Sequence, residues 1–488
     1  MQAIILAAGM GSRLKSLTQY NTKCMVKVKG VGLIDRMMKQ LDRLHLNKIV
    51  VVVGYRGQQL IDYIEDIGID TAIEYVDNPI YDKTNNIYSL ALAKEYMLED
   101  DTLLLESDLI FEDSVLEKLV SDPRDTLAVV DKYESWMDGT VIKVNEEDEI
   151  IDFIPGKKFV FKDIAEYYKT VNIYKFSKEF STTHYVPFLD AYSSALGLNE
   201  YYEQVLRIIT MLDEESTIKA LRLDGDLWYE VDDLQDLDIA SVLFTPEEEK
   251  KGQLLRRRFG GYWRYPKMID FCYLNHPYFP NKKLLDEIKS NTAKLVTSYP
   301  SGMTVNALLA SKMFDIRQDQ IVIGNGASEL IKSLMEKLDC KLGFITPSFE
   351  EYMKRYGDKE HVVFTSDKEG YAYTADDLMS FFDENPADGI VICNPDYPTG
   401  NYIPKADMLR ILDWAKAKDM KVILDDTFSV FADEEDTLLF DHDIINEYTN
   451  LIIIRSISKA HGVPGLRLGV LATADTDLIF HIKEDVAI

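Results

Sequence analysis

The sequence predicts an α/β protein built of two domains, and three observations support this. Short apolar runs typical of buried strands alternate with helix-spaced segments from Met1 to about Phe244. A charged segment at 245–258 interrupts this alternation, which then resumes. The 488 residues also provide enough chain for two large domains. We therefore expect domains at 1–244 and 259–488 with a linker at 245–258.

In the first half, the apolar runs are short enough to be buried strands and alternate with two helical patterns, Leu33–Leu44 and Leu60–Ile67. The predicted strands are Ala3–Leu6, Ile49–Val53, Thr71–Val76, Leu103–Leu105 and Leu127–Val130. Alternation of this kind is the signature of a parallel sheet made of βαβ units.

The second half repeats the alternation, with helical patterns at Leu330–Leu338 and Met408–Ala417. Its predicted strands are Ile321–Ile323, Gly343–Ile345, Val362–Phe364, Ile390–Cys393, Val422–Leu424 and Leu451–Ile454. Since the chain shows no short-period repeat, the two halves are expected to be two different enzymes.

Composition narrows the classes of function. The chain carries 54 Lys and Arg against 83 Asp and Glu, and this net charge of -29 argues against a nucleic-acid partner. The cysteines lie too far apart for a disulfide framework or a zinc motif. No apolar run approaches the roughly 20 residues that span a bilayer, and the N-terminus lacks a signal-peptide pattern. We expect a cytoplasmic protein with no membrane contact.

The segment L-A-A-G-M-G-S-R, Leu6–Arg13, directly follows the first predicted strand. Gly9 and Gly11 allow backbone N–H groups to approach phosphate oxygens, and Arg13 offers a charged fork. A dinucleotide fingerprint would need glycine where this chain has Leu14. Residues 1–34 also contain five basic side chains and no Asp or Glu. This indicates either an anion site or a solvated basic face.

Further motifs decide between these alternatives. They are Lys23, V-G-Y at 53–55, N-N-I-Y-S-L at 85–90, E-S-D at 106–108 and Y-E-V-D-D-L-Q-D at 229–236. Together they resemble the sugar-phosphate and choline-phosphate nucleotidyltransferase family, most closely the bacterial phosphocholine cytidylyltransferases. The resemblance covers 1–244 and implies a Rossmann-like nucleotidyltransferase domain that uses CTP. It departs at Thr22, where the family often has proline.

Nucleotidyl transfer consists largely of positioning and charge neutralisation, with Mg²⁺ bound by one or two carboxylates. Asp108 is predicted at the carboxyl end of a strand, where open sheets bind ligands. The resemblance implies Asp232 as the second metal carboxylate, and Lys23 and Arg13 as the groups that neutralise the triphosphate. The nucleotide-binding residues that it implies are Leu6, Ala7, Ala8, Gly9, Gly11, Ser12, Arg13, Lys23, Tyr55, Asn86, Ser89 and Ser107.

The expected acceptor is an aminoalkyl phosphate or phosphonate, whose cationic end suits aromatic faces and a carboxylate. The candidates are Trp136, Tyr192, Trp228 and Glu230. Aromatic residues of this kind are also common in cores, so a structural role for some of them remains open.

A second group of motifs lies in the other half. R-S-I-S-K-A-H-G-V-P-G-L-R-L-G, Arg455–Gly469, places Lys459 after a predicted strand, where it can form a Schiff base. Asp425 ends the strand V-I-L-D, N-P-D-Y-P-T-G begins at Asn394, and G-N-G-A-S-E at 324–329 puts small residues at a helix start.

These motifs resemble the fold-type I aminotransferases of class I and II, in the branch of histidinol-phosphate aminotransferase and threonine-phosphate decarboxylase. The resemblance implies pyridoxal 5'-phosphate, held by Ala327, Ser328, Phe349, Asn394, Asp425, Ser456, Ser458, Lys459, Arg467 and Tyr299. Tyr299 matches a tyrosine supplied by a neighbouring subunit, which implies a homodimer. Phe428 stands where the family commonly has tyrosine. Since the family continues into a small C-terminal domain, this domain is expected to be truncated.

The leading hypothesis is a bifunctional enzyme that transaminates phosphonoacetaldehyde with an amino-acid donor and transfers CMP from CTP to the resulting 2-aminoethylphosphonate. One alternative is a phosphocholine or phosphoethanolamine cytidylyltransferase. Another is a sugar-1-phosphate nucleotidyltransferase. In a third, the second half is a non-catalytic or dimerising module.

Overall fold

The computed structural model describes residues 1–212, 218–258, 261–265, 268–433 and 439–486. The chain divides into two compact units, Met1–Met268 and Ile269–Ile488. The expected linker at 245–258 includes the helix Glu248–Arg258, which belongs to the first unit. Leu254 and Leu255 of this helix pack against an apolar cluster of that unit, and Arg258 forms an ion pair with Asp238.

The first unit is α/β. Its strands are β1 Gln2–Leu6, β2 Lys27–Val28, β3 Val31–Gly32, β4 Ile49–Val53, β5 Ile73–Asp77, β6 Thr102–Glu106, β7 Leu109–Phe111, β8 Leu127–Lys132, β9 Val141–Val144, β10 Ile150–Ile154, β11 Tyr167–Phe176, β12 Lys219–Arg222 and β13 Trp228–Glu230. Its helices are α1 Leu33–Asp42, α2 Gly57–Glu65, α3 Asn86–Leu92, α4 Lys94–Met97, α5 Asp113–Ser121, α6 Lys178–Phe180, α7 Val186–Leu196, α8 Glu203–Leu212, α9 Leu234–Leu243 and α10 Glu248–Arg258.

Each strand predicted in this half is present, but the sheet is mixed rather than parallel throughout. In the described residues its order is β10-β9-β11-β6-β1-β4-β5, with β8 beside β11 and β12 beside β8. Strands β6, β1, β4 and β5 run parallel, whereas β11 is antiparallel to β6, β8 and β9. The sequence analysis missed β11 because buried polar residues such as Lys169 and Asn172 interrupt its apolar pattern.

The parallel strands are apolar because helices cover both faces of the sheet. Ala3 and Ile5 of β1 face the cluster that contains α1, while Ile4 and Leu6 face the cluster that contains α3. Burial on both faces leaves the carboxyl edge of β1 and β6 as the place where polar side chains emerge from the sheet.

The second unit is also α/β. Its strands are β14 Ile321–Asn325, β15 Leu342–Thr346, β16 His361–Thr365, β17 Gly389–Cys393, β18 Lys421–Asp425, β19 Leu451–Ser456 and β20 Leu468–Thr473. Its helices are α11 Lys282–Thr297, α12 Met303–Phe314, α13 Ala327–Lys337, α14 Glu351–Tyr356, α15 Ala375–Glu384, α16 Lys405–Ala417, α17 His442–Glu447, α18 Ile457–Ala460 and α19 Thr476–Asp485.

Among the described residues this sheet has the order β14-β20-β19-β18-β17-β15-β16. All of its predicted strands are present, and the central ones are parallel. Strand β20 was not predicted, and it runs antiparallel to both β14 and β19. In the part of the chain that the structure describes, no helix combines the length and apolar character that crossing a bilayer requires.

Candidate active sites

In the loop after β1, the backbone of Gly11 lies close to the side chain of Lys23. Gly11 has φ +61°, and a Cβ there would lie 2.8 Å from Lys23 Cβ. Only glycine satisfies both conditions without displacing the lysine. Thr22, the departure from the family pattern, has φ −77° and ψ 160°, a conformation that proline also adopts. The backbone at position 22 would therefore also accommodate proline.

Lys23 joins the carboxylates of two distant segments. Its Nζ lies 2.5 Å from Asp108 Oδ2 and 2.6 Å from Asp232 Oδ1, and Arg13 Nη2 donates to Asp232 Oδ1 at 2.7 Å. Burial disfavours the charge of Lys23, but the two aspartates outweigh it and raise the pKa of Lys23 above its ordinary value. The structure therefore brings all four residues into one charged group.

Glu230 belongs to the same group. Oxygen atoms of Asp108, Glu230 and Asp232 lie within 4.8 Å of one another, and Asp108 Oδ1 is buried without a hydrogen-bond partner among the described residues. Burial raises the pKa of Glu230 to about 7, Lys169 opposes this rise and Asp108 adds to it. Such an all-carboxylate set fits a hard divalent cation. Glu230, assigned to the acceptor from the sequence, thus lies among the candidate metal carboxylates.

The other residues expected to bind the nucleotide differ in their hydrogen bonds and in their exposure to solvent. Asn86 Nδ2 donates to Glu106 Oε1 at 2.9 Å, and the Tyr55 hydroxyl donates to the backbone oxygen of Gln19 at 3.4 Å. Ser89 is buried and accepts a hydrogen bond from Asn78. Leu6, Ala7, Ala8 and Ser107 are buried, whereas Gly9 and Ser12 are exposed. The exposed positions belong to the loop after β1.

Two of the expected acceptor aromatics already have partners. The Trp136 ring stacks on Tyr229 at 4.8 Å between centroids, and the Arg264 guanidinium lies 5.3 Å from the Trp136 ring. Trp228 is buried in the core, and its Nε1 donates to Asp131 Oδ2 at 2.7 Å. These contacts fix the Trp228 ring in the core, and its assignment to the acceptor stays a prediction. Tyr192 is half-buried against the core cluster on the α3 face of the sheet.

The sequence analysis missed a set of buried charges beside this site. Lys169 is buried, donates to the Thr170 carbonyl at 2.6 Å and lies 3.6 Å from Glu230 Oε2. Burial raises the pKa of Glu106 well above its ordinary value, and the charges of Asp108 and Glu203 add to this rise. A charged residue within an otherwise apolar strand, as Lys169 is in β11, was the available signal.

In the second unit, one cavity collects most of the residues expected to bind pyridoxal phosphate. Its lining includes Ala327, Ser328, Phe349, Asp425, Ser456, Lys459 and Arg467. These residues come from the ends of β14, β15, β18, β19 and the start of β20, so the parallel arrangement brings them to one edge. Phe428, the departure from the family pattern, also lines this cavity.

Lys459 lies between two aromatic rings. Its Nζ is 4.8 Å from the Phe428 centroid and 5.5 Å from the Phe349 centroid. Burial lowers the pKa of Lys459 below its ordinary value, although Asp425 opposes this. A neutral amine is the form that attacks an aldehyde carbonyl, so this environment suits Schiff-base formation.

Asp425 and Arg467 both line this cavity. Asp425 Oδ2 accepts from the buried Tyr352 hydroxyl at 2.8 Å, which fixes the carboxylate. Gly326 has φ +78°, and a Cβ there would lie 2.7 Å from Arg467 Nη2 at the start of α13. A guanidinium beside a helix N-terminus of small residues is suited to a phosphate group.

Three residues expected to contact the cofactor, Asn394, Ser458 and Tyr299, lie outside the lining of this cavity. The Asn394 side chain pairs with the Ile403 backbone, with Oδ1 accepting and Nδ2 donating, both at 2.8 Å. Ser458 Oγ donates to and accepts from the Leu468 backbone. Tyr299 is fully exposed. Asn394, Ser458 and Tyr299 are not among the residues that line the cavity.

Comparison with known proteins finds a family for each half of the chain. The model of the MobA-like NTP transferase domain family matches residues 3–183, and that of aminotransferase class I and II matches residues 267–487. CTP:phosphoglutamine cytidylyltransferase of Campylobacter jejuni is 30% identical over 262 residues, which are 49% of this chain and 98% of that protein. The chain belongs to the nucleotidyltransferase family.

This nucleotidyltransferase carries an aminotransferase-class domain as its second half. CMP-5'-(3-aminopropyl)phosphonate synthase of Streptomyces rubellomurinus is 28% identical over 489 residues, covering 100% of this chain and 77% of that protein. L-serine phosphate decarboxylase of Sulfurospirillum multivorans is 31% identical over 212 residues, covering 41% of this chain. The match spans 54% of the length of that decarboxylase.

The nucleotidyltransferase reaction explains the first charged group. An acceptor oxygen bonds to the α-phosphorus while the bond from that phosphorus to the leaving pyrophosphate breaks. Negative charge accumulates on the phosphoryl oxygens, and Lys23 and Arg13 are positioned to stabilise it. Asp108 and Asp232 hold both cations in place through the contacts described above.

Proposed function

We propose that this protein is a bifunctional enzyme of phosphonate metabolism that makes CMP-2-aminoethylphosphonate. Its first half transfers CMP from CTP to 2-aminoethylphosphonate with Mg²⁺, and its second half makes that acceptor by transamination with pyridoxal phosphate. The observation that carries the proposal is the Asp108, Glu230 and Asp232 group with Lys23, which adjoins further buried charges.

Similarity to an aminoalkylphosphonate synthase over the whole chain supports the acceptor class. A phosphonate oxygen attacks the α-phosphorus of CTP, and the α,β-bridging oxygen leaves with the bonding electrons as part of pyrophosphate. Asp108 and Asp232 would hold Mg²⁺, which would supply neutralisation of the phosphate charge. Lys23 and Arg13 then lie close enough to bind the same phosphates.

The residues of the second cavity fit pyridoxal phosphate, which supplies an electron sink for proton transfer at the amine-bearing carbon. Asp425 would hold the protonated ring nitrogen, and Phe349 would cover one ring face. Arg467, Ser328 and the start of α13 would bind the phosphate. Lys459, with its lowered pKa, can take up and return the proton.

The two halves are chemically complementary in this proposal. Transamination converts the aldehyde carbon of phosphonoacetaldehyde to an amine, and the donor amino acid becomes a 2-oxo acid. The product then carries both the oxygen nucleophile and the cationic group that a buried acidic pocket can bind. Phosphocholine suits this pairing less well, because transamination cannot produce its quaternary nitrogen.

Product mass spectrometry with CTP and Mg²⁺ tests the proposal. The acceptors are 2-aminoethylphosphonate, phosphoethanolamine, phosphocholine and a sugar 1-phosphate, compared by kcat/KM. We expect 2-aminoethylphosphonate to be preferred, and a preference for phosphocholine or the sugar phosphate contradicts the proposal. Conversion of phosphonoacetaldehyde in the presence of a panel of amino acids tests the second half.

We also propose that the protein is a homodimer, in which Tyr299 of each chain reaches the phosphate site of its partner. Support comes from the apolar side chains exposed between Ile269 and Met313, among them Phe271, Tyr278 and Leu309. Sedimentation equilibrium measures the assembly state directly. A Tyr299→Phe variant should bind pyridoxal phosphate more weakly, and unchanged binding argues against this contact.

A further inference from the structure

The first unit contains a buried carboxylate that the reaction described above does not use. Glu203, the first residue of α8, is only 6% exposed. Its Oε2 has no hydrogen-bond partner, and no ion pair to it is found among the described residues. Burial raises the pKa of Glu203, while a backbone hydrogen bond and the charge of Lys169 oppose this rise, and a buried carboxylate oxygen without a partner is costly. Such a group is expected to have a ligand.

The surroundings of Glu203 suit an ammonium group. Tyr202 is fully buried, and its hydroxyl also lacks a partner among the described residues, which leaves a second oxygen to accept an N–H bond. The Tyr174 and Tyr202 rings meet edge to face at 5.8 Å. Aromatic rings around a carboxylate are the usual environment in which proteins bind amines.

Hydrogen bonds connect Tyr202, the neighbour of Glu203, to Glu106, which lies beside the candidate metal carboxylate Asp108. The Tyr202 backbone N–H donates to Asn86 Oδ1 at 3.0 Å, and Asn86 Nδ2 donates to Glu106 Oε1 at 2.9 Å. Glu106 is two residues from Asp108 at the end of β6. A short aminoalkyl chain attached to a phosphonate at Asp108 can therefore extend towards Glu203.

The other candidates for the ammonium group already have partners. Glu230 lies 3.6 Å from the Lys169 ammonium, and the Trp136 ring lies between Tyr229 and the Arg264 guanidinium. A second cation at either place would meet a positive charge supplied by the chain itself. The Glu203 Oε2 atom lacks a hydrogen-bond partner in the described residues, and Lys169, whose charge acts on Glu203, makes its ion pair with Glu230.

We infer that Glu203, assisted by the Tyr202 hydroxyl, binds the ammonium end of the acceptor and sets the preference for aminoalkyl over uncharged acceptors. This inference rests on the proposed cytidylyl transfer and adds the residue that reads the substrate. It also assigns Lys169 to pairing with Glu230 rather than to the acceptor.

The test measures the ratio of kcat/KM for 2-aminoethylphosphonate to that for ethylphosphonate. Glu203→Gln should lower this ratio at least tenfold, and Tyr202→Phe should lower it severalfold. Glu203→Asp keeps the charge but withdraws it by one methylene, so it should shift the preference towards 3-aminopropylphosphonate. The exposed Glu147→Gln is the matched control and should keep the wild-type ratio.

The possible results distinguish a failure of the proposed cytidylyl transfer from a failure of the role inferred for Glu203. A wild-type enzyme that transfers CMP to no aminoalkyl phosphonate contradicts the proposed function. A wild-type enzyme that does so, while Glu203→Gln keeps the same ratio, overturns the inference alone. If Glu203→Gln fails to fold, wild-type ratios in both Glu203→Asp and Tyr202→Phe overturn it equally.

Discussion

At the scale of single residues, both sites depend on charges whose pKa values are shifted by burial and by their neighbours. Lys23 keeps its charge because Asp108 and Asp232 contact it, whereas burial favours the neutral form of Lys459. The same physical factors thus produce a fixed cation in one site and a reactive amine in the other.

Removing a charge from the first site should abolish most nucleotidyl transfer without unfolding the protein. Asp108→Asn and Lys23→Ala each remove a charge that neutralises or organises the phosphates, and neither residue fills the apolar core. We expect a loss of at least about a hundredfold in kcat/KM, measured as pyrophosphate release. The exposed Lys27→Ala should retain activity, and near-normal release from either site variant contradicts the assignment.

Lys459→Ala should eliminate the covalent attachment of pyridoxal phosphate. The side chain no longer provides an amine, so the long-wavelength absorbance of the bound cofactor should be lost, while nucleotidyl transfer continues. Lys354→Ala, at an exposed position of the same unit, should leave this absorbance unchanged. Persistence of the band in Lys459→Ala would show that another lysine carries the cofactor.

At the scale of elements, both sites lie at the carboxyl ends of parallel strands, and glycines bring these ends close to neighbouring segments. In the second unit, β20 passes beside the start of α13, and a Cβ on Gly469 would lie 2.4 Å from the Ala327 backbone nitrogen. The contact joins Arg467 and the helix N-terminus into one phosphate site. The motifs at 324–329 and 455–469 could be identified from the sequence, whereas β20, the strand that follows Arg467 and pairs with β14, was not predicted.

Gly469→Ala tests this element contact. The added methyl group must displace either β20 or the start of α13, which should destabilise the second unit by about 1–3 kcal/mol. Pyridoxal phosphate affinity should fall with it, as followed by absorbance titration. Gly465→Ala is a nearby control, because a Cβ there would meet no atom within 4 Å. Equal affinities in the two variants would mean that the close approach does not support the phosphate site.

At the scale of the whole molecule, the two units are separate compact bodies, each with its own sheet and core. Each site draws its residues from one unit. We therefore expect variants in one site to leave the activity of the other half unchanged.

This separation predicts additive behaviour of variants in the full chain. Asp108→Asn should abolish CMP transfer and leave the cofactor absorbance intact, and Lys459→Ala should do the reverse. The double variant should show both losses and no further change in either signal, because sites built from different residues of different units are expected to behave independently. Loss of cofactor binding in Asp108→Asn would contradict this independence.

The sequence by itself determined the α/β fold class and the predicted strands, and it named candidate residues for both sites. This was possible because strands buried on both faces must be apolar, and because the loops that follow them carry compact motifs. Lys23, Asp108, Asp425 and Lys459 could be named from such motifs. Their local sequence places each of them next to a strand end or a loop.

Only the tertiary structure decided which charges meet. Glu230 joins Asp108 and Asp232, Lys169 neutralises Glu230 from within β11, and Glu203 lies buried without a partner among the described residues. Asp108, Lys169, Glu203 and Glu230 are far apart in the sequence, so their proximity follows from strand order and helix packing. Whether a charge is paired or unpaired depends on that proximity, which the pattern along the chain does not record.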